Sequence, residues 1–271
     1  MNGETYMETE MEIMPFAMVE NCYFVGGREV SVHLIDTGDG LILIDTGYPH
    51  MRAQILANVC SLGFRTEDIR VILLTHGHYD HIGCAAVFRE MSGAPIYIGR
   101  EDAGILKGAL DLSWAQELGF ARLSPFEADV LIEDGAQVTL GDVTVRCVHT
   151  PGHTAGTMSF FFETPGQAHY TVGMHGGVGL NSMQIDFLRR KGLNADCREA
   201  FRAGLRRLAD ISVDVMLGNH PDQNHTAEKR ALLYAGEACA CVDRCEWPRF
   251  LRTCEENLDD MLRMETIKNS L

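Results

Sequence analysis

The sequence has no apolar run approaching the ~20 residues that a membrane-spanning helix needs. Cys-X-X-Cys pairs are also absent, although nine cysteines stand at positions 22, 60, 84, 147, 197, 239, 241, 245 and 254. Their odd count and irregular spacing, in a chain too long to need disulfide staples, point to free thiols and a reducing compartment. Cys239, Cys241, Cys245 and Cys254 match no usual zinc spacing and read as thiols on or under a helix. Positive charge is scarce: 23 Lys and Arg stand against 38 Asp and Glu, a formal charge of −15 at pH 7. The longest basic stretch is Arg189-Arg190-Lys191, too short to offset repulsion from a phosphate backbone, which argues against nucleic acid as a partner. Neither Gly26-Gly27 nor Gly176-Gly177-Val178-Gly179 follows a phosphate-loop pattern. Met1 to Met14 is acidic and lacks the basic and apolar regions of a signal peptide. A cytoplasmic protein with a poorly ordered extension over residues 1–14 is therefore expected, with no membrane association.

What is present is enough for a sizeable core: 46% of the 271 residues are hydrophobic. Composition alone permits one large α/β domain or two small ones. Cys22 to Val25, Val30 to Ile35 and Leu41 to Ile44 read as strands of an antiparallel meander, with turns at Gly26-Gly27 and Asp36 to Gly40. Met51, Ile55, Val59 and Leu62 recur at helical spacing, and Gly63 ends that helix. Val71 to Leu74 returns as a strand, and His81 to Met91 reads as a helix. The stretch from Glu101 to Phe126 admits two readings, a lid or substrate wall and a set of packed surface helices. Strands resume at Leu131-Ile132, Val138 to Leu140, Val143 to Val148, Thr157 to Phe162, Tyr170 to Val172 and Val213 to Leu217. Ala195 to Leu208, Ala227 to Ala240 and Trp247 to Met264 read as helices. Each half of the chain thus runs through strands and then helices, which suggests two sheets packed face to face with helices outside.

The densest chemistry lies in Leu74-Thr75-His76-Gly77-His78-Tyr79-Asp80-His81-Ile82-Gly83. Three histidines and an aspartate follow directly on a strand end, and these are side chains that a divalent ion such as zinc readily takes. His76 and His78 share one face of an extended segment, whereas Asp80 and His81 need a turn into a helix to join them. Three further strand ends lead into loops bearing His153, His175 and His220. If those ends share one edge of the sandwich, the loops converge. His33, His50, His149, His169 and His225 have no such company and read as structural. Asp45, at another strand end, is either a turn residue or a hydrogen-bond partner for a ligating imidazole.

His76-Gly77-His78-Tyr79-Asp80-His81 resembles the HxHxDH motif of the metallo-β-lactamase superfamily. Asp45-Thr46-Gly47, Thr150-Pro151-Gly152-His153-Thr154 and the late His220 fall in that superfamily's order. Asn21 to Gly26, Gly40 to Asp45, Ile55 to Phe64 and His220-Pro221 bring the likeness closest to the class B, subclass 3 β-lactamases, over roughly residues 15 to 230. The resemblance implies a four-layer αββα sandwich, as a single domain over residues 1–271. It also implies two Zn2+ per chain, one on His76, His78 and His153 and one on Asp80, His81 and His220. The implied enzyme is a dinuclear zinc hydrolase in which metal-activated hydroxide, oriented by the catalytic Asp80, attacks a cyclic amide. Its substrate would be a small molecule, in the first place a β-lactam, with a role in antibiotic resistance. The alternatives are a lactonase or thioesterase of the same fold, or a metal-binding protein without useful turnover.

One part departs from that pattern. Many superfamily hydrolases carry a bridging aspartate after the strand that here ends near Val172, and subclass 3 β-lactamases carry serines there. This chain has Gly173-Met174-His175-Gly176-Gly177. Met174, Gly176 and Gly177 offer no hydroxyl for a substrate carboxylate, so β-lactam hydrolysis is expected to be inefficient. Serine at 174 or 176 is expected to improve KM. His175 and Ser182 remain the candidate substrate-binding groups. The sequence leaves the oligomeric state open.

Overall fold

In the computed structural model, which describes residues 12–166 and 168–268, the short apolar runs become the strands of two sheets. The first strands are β1 (Phe16–Val19), β2 (Cys22–Phe24), β3 (His33–Asp36) and β4 (Leu41–Ile44), and they form the expected antiparallel meander. After α1 (Arg52–Ser61), β5 (Ile69–Leu73) pairs parallel to β4. The short helices α2 (Tyr79–Ile82) and α3 (Ala85–Ser92) lead to β6 (Ile96–Gly99), then α4 (Ala103–Leu106) and β7 (Val130–Ile132). These seven strands lie side by side in chain order. The second sheet holds β8 (Gln137–Leu140), β9 (Val143–His149), β10 (Met158–Glu163) and β11 (Thr171–Met174), all antiparallel neighbours. Helices α5 (Ile185–Lys191) and α6 (Asp196–Ala209) precede β12 (Val215–Leu217), which adds parallel to β11. Helices α7 (Thr226–Tyr234) and α8 (Glu246–Lys268) follow.

Three apolar layers set this arrangement. Phe24, Ile42, Leu73, Val145, Phe160 and Val215 meet between the two sheets. On the outer face of the first sheet, Leu43, Ile72 and Ile98 pack on Ile55 and Val59 of α1 and Phe88 of α3. Outside the second sheet, Phe161 and Met216 pack on Phe201 and Leu205 of α6 and Trp247 and Leu251 of α8. Strands buried on both faces explain why β4, with the burial of all four residues of Leu41–Ile44, reads as a continuous apolar run rather than an alternation. The result is the αββα sandwich expected from the sequence. No helix among the described residues is long and apolar enough to cross a membrane.

Several elements differ from expectation. The helix expected over His81 to Met91 is two helices. The His81 carbonyl accepts from the Thr46 N–H and hydroxyl, each at 2.8 Å, instead of continuing the helical ladder. The helix expected over Ala227 to Ala240 stops at Tyr234 and closes into a turn in which Gly236 takes φ +100°. Between Glu101 and Phe126 the chain holds only the one-turn α4 and the helical turn before it; the rest is irregular. Of the expected extension, residues 1–11 lie outside the described residues, while Ile13 is buried against the inter-sheet core.

Candidate metal centre

Strand β5 delivers Thr75 to Asp80 at one edge of the sandwich, and α2 turns Asp80 and His81 onto the same point. The loop after β9 supplies His153, and the loop after β12 supplies His220. Two groups of potential ligand atoms result, His76 with His78 and His153, and Asp80 with His81 and His220. Within each group the atoms lie within 4.8 Å of one another. All six side chains singled out in the sequence are thus brought together in the two sets expected.

The hydrogen bonds around these rings decide what they can hold. His76 Nδ1 lies 2.8 Å from the Gly176 carbonyl, His153 Nδ1 2.6 Å from the Gly179 carbonyl, and His220 Nδ1 2.8 Å from the Glu29 carbonyl. A carbonyl oxygen only accepts, so each Nδ1 carries the proton and each Nε2 presents a lone pair. His76 Nε2 and His153 Nε2 face each other at 3.1 Å with neither proton to share. Two such lone pairs at that distance repel unless a cation lies between them, so the donor set fits a metal ion. Burial first, then the neighbouring imidazoles, hold His76 and His78 well below the usual histidine range. Burial brings His153 down to about 4. These rings are therefore neutral and able to ligate at neutral pH.

The second group is electrostatically different. Burial disfavours the His81 imidazolium, but Asp80 and Asp45 outweigh it and push the pKa up to about 10. Burial likewise opposes ionisation of Asp80, yet His81, and then His220 and His78, hold its carboxyl well below the usual range. A cation entering here replaces the His81 proton, so binding releases a proton at neutral pH. Asp45 orients the ring: its Oδ2 accepts from His81 Nδ1 at 2.8 Å, and its Oδ1 accepts from the Thr75 N–H at 2.8 Å. Asp45 is fully buried and takes φ +59°, a left-handed conformation that aspartate tolerates better than most residues. Of its two sequence readings, the hydrogen-bond partner is the one the geometry supports.

The ligand-type atoms open into a cavity of about 400 Å³, rimmed also by Tyr48, Trp114, Leu118, Ser182 and Asp222. Trp114 and Leu118 come from the irregular stretch between α4 and β7, which therefore forms a wall of the pocket rather than a layer of surface helices. That stretch is fastened to α2 by the Tyr79 N–H, which donates to the Ser113 carbonyl at 2.7 Å, and by Phe120 stacked on Tyr79 at 5.1 Å.

A family model for the metallo-β-lactamase superfamily matches residues 25–166, from β2's end through the first ligand loops to β10. The chain belongs to the metallo-β-lactamase superfamily. Among solved structures it is similar to BJP-1, a subclass B3 metallo-β-lactamase of Bradyrhizobium japonicum. The two share 28% identity and superpose with a TM-score of 0.85 over 94% of this chain and 96% of that one. Among curated proteins, it is 32% identical over 116 residues to a probable metallo-hydrolase of Burkholderia pseudomallei, covering 43% of this chain and 38% of that one. It is also 27% identical over 173 residues to a hydroxyacylglutathione hydrolase of Haemophilus influenzae, covering 62% and 74%. The chain spans about half the length of the curated relatives it matches, 46%, 64% and 38% for three of them.

Against this superfamily background the loop after β11 behaves differently from expectation. Met174 is buried between the sheets, so serine there would lie in the core and face no substrate. A β-carbon on Gly176 would stand 2.0 Å from the Met158 carbonyl oxygen of β10, a backbone atom that cannot move aside. We expect Gly176→Ser to lose about 1–3 kcal/mol or more through this overlap, with no gain in substrate affinity. A thermal melt several degrees below wild type checks this; an unshifted melt with improved KM would restore the earlier expectation. His175 does not line the pocket: it is 2% exposed, packs on Phe201, and accepts from the Gly177 N–H. Ser182 does line it, but its hydroxyl donates to the His153 carbonyl at 2.6 Å. His33 is fully buried with Nε2 on the Gly218 carbonyl, His149 bonds the Ala155 carbonyl, and His50 pairs with Glu29. None of these three enters the pocket.

Asp102 escaped sequence reading. It lies just before α4, is 1% exposed, and accepts from the Gly77 N–H at 2.8 Å, the Gly156 N–H at 2.8 Å and the Thr154 hydroxyl at 2.6 Å. It thereby ties the loop of His76 and His78 to the loop of His153. Burial pushes its pKa up despite these bonds.

Proposed function

We propose that this protein, folded as one domain, is a hydrolase that holds two divalent ions and cleaves a small carbonyl substrate. His76, His78 and His153 would hold one ion, and Asp80, His81 and His220 the other. Zinc suits these nitrogen and carboxylate donors best. The observation that carries this reading is the set of Nε2 lone pairs that His76, His153 and His220 turn inward, their Nδ1 protons committed to backbone carbonyls, beside a His81 ring held in place by Asp45. Bound zinc would supply Lewis acidity toward a carbonyl and would acidify water. Asp80 has one carboxylate oxygen near His81 and His220; in this reading its carboxylate would also accept a hydrogen bond from the attacking water and orient it. Asp45 keeps the His81 ring in place while charge develops beside it. The pocket, at about 400 Å³, has the size of a small-molecule site.

Similarity to a subclass B3 enzyme supports a β-lactam as substrate. The pocket itself supports only inefficient cleavage, because the described residues lining it include no Lys or Arg to hold a β-lactam carboxylate. Losing one good hydrogen bond to such a charged group costs about 1.5–3 kcal/mol, so KM should be raised by roughly tenfold or more. The same observation favours a second reading, a lactone or thioester substrate. A panel of chromogenic lactams, lactones and thioesters, assayed before and after chelation and zinc repletion, tests both. Metal uptake with no turnover on any of them would leave a metal-binding protein. A cytoplasmic site of action remains part of this proposal.

Metal content offers a sharper check. Elemental analysis should find about two divalent ions per chain, and His220→Ala should lower this towards one, since it removes a ligand from one group only. Full occupancy in that variant would take His220 out of the centre.

A further inference from the structure

Beside the candidate metal pocket lies a second cavity of about 470 Å³, and the two share His78, Trp114, His153 and Ser182 as walls. Past those shared walls the second cavity is lined largely by Leu112, Phe187, Leu188, Leu193 and Ala200, with Asp196 its one acidic residue and no Lys or Arg among the described lining. Leu193 stays 42% exposed at this otherwise apolar site. Trp114, which divides the two cavities, takes φ +65° and stacks on Phe187 at 4.8 Å, so its strained backbone is held by the cavity's own wall. Two cations, Arg190 and Lys191, lie over the Phe187 ring at 5.9 and 5.8 Å, and the Lys191 ammonium is engaged by Asp111 and Glu117.

We infer that the substrate is a neutral ester or lactone bearing an apolar tail, with its carbonyl in the first cavity and its tail in the second. This rests on the hydrolytic reading above and names the substrate class of that centre. The cavities adjoin across His78, Trp114, His153 and Ser182, so a molecule whose tail passes Trp114 would reach both. The largely apolar lining rewards methylenes in the second cavity, and the absence of Lys and Arg from its described lining, beside Asp196, penalises an anionic end. In the reaction the acyl C–O bond breaks and a new C–O bond forms from water. One water proton passes to the departing alkoxide and the other is released to solvent as the acid ionises, leaving an alcohol and a carboxylate.

The test uses zinc-loaded protein and a series of acetyl, butyryl, hexanoyl and octanoyl esters of one phenol. kcat/KM should rise roughly fourfold per added methylene until the cavity is filled. A tail of octanoyl length ending in a carboxylate should react about tenfold more slowly or worse. Ala200→Phe, which fills the cavity, should flatten the chain-length series. Leu193→Asp, at an exposed position that tolerates change, should do the same if the first variant fails to fold. Calorimetry adds a readout independent of turnover: octanol should bind more tightly than butanol, and Ala200→Phe should abolish the difference. Equal cleavage of short and long esters, with no such difference between alcohols, overturns the tail assignment and leaves metal-dependent hydrolysis standing. Octanol binding that Ala200→Phe abolishes, with no ester or lactone cleaved, supports the cavity's preference and removes the hydrolytic reading instead.

Discussion

Asp80→Asn should lower kcat by about 10²–10⁴ on whatever substrate the protein turns over, the range over which a positioned acid–base group contributes. The substitution keeps size and shape but removes the negative charge that holds the second group together. Asp80 is 9% exposed, and its Oδ2 lies 3.3 Å from His81 Nε2 and 3.5 Å from His220 Nε2. An amide there offers a neutral oxygen or, in the other orientation, an N–H directed at His81 Nε2, whose proton needs an electron-rich partner. The second ion should therefore be lost or weakened, while His76, His78 and His153 retain the first, since the Nδ1 contacts that orient His76 and His153 do not involve Asp80. Steady-state kinetics at saturating zinc, beside elemental analysis, separates the two consequences. A rate that recovers fully with added zinc would make Asp80 a ligand alone. An unchanged kcat at ambient zinc would put the chemistry elsewhere.

The part of the site closest to sequence was the part built from local motifs. His76, His78, Asp80 and His81 fall within six consecutive positions shortly after β5, and β5 and α2 present them together. The convergence of His153 and His220 required the strand ends to share an edge, which follows from burying two sheet faces against each other. Asp102 was invisible because its partners Gly77, Thr154 and Gly156 are reached through space, and two of its three bonds go to backbone N–H groups that leave no mark on sequence. The same holds for the crowding at 176 that weighs against serine there. Nothing in a glycine-rich stretch reveals that the Met158 carbonyl lies against one glycine's α-carbon. Helix α5 escaped because its seven residues bury only Phe187 and Leu188, too few to mark a period. The break between α2 and α3 came from a tertiary bond, Thr46 capturing the His81 carbonyl, that overrode a helix-compatible local pattern. Except at α5, contacts made only in the tertiary structure are the common cause.

Asp102→Ala should cost about 3–5 kcal/mol of stability and, with it, the first metal group. Three donors aimed at one buried carboxylate lose their acceptor together, and each buried donor left unpaired costs about 1–3 kcal/mol, offset in part where water enters the gap. Two of these donors, the Gly77 and Gly156 N–H groups, belong to the loops that carry His76, His78 and His153, so the loops would be free to part. Ligand supports of this kind typically change metal affinity by about 10–100-fold. The second group should suffer less, because Asp45 anchors His81 independently through Thr75. Asp102→Asn supplies the graded control. It keeps one oxygen acceptor but turns an NH2 toward the remaining donors, so it should fall between wild type and alanine. Zinc titration against a chelating indicator should show one weakened site in Asp102→Ala and one near wild type, alongside a lowered melting temperature. If both sites weaken equally, the damage is global and Asp102 supports the fold without favouring one group. If stability falls while both affinities hold, the two loops are positioned by the sheets alone.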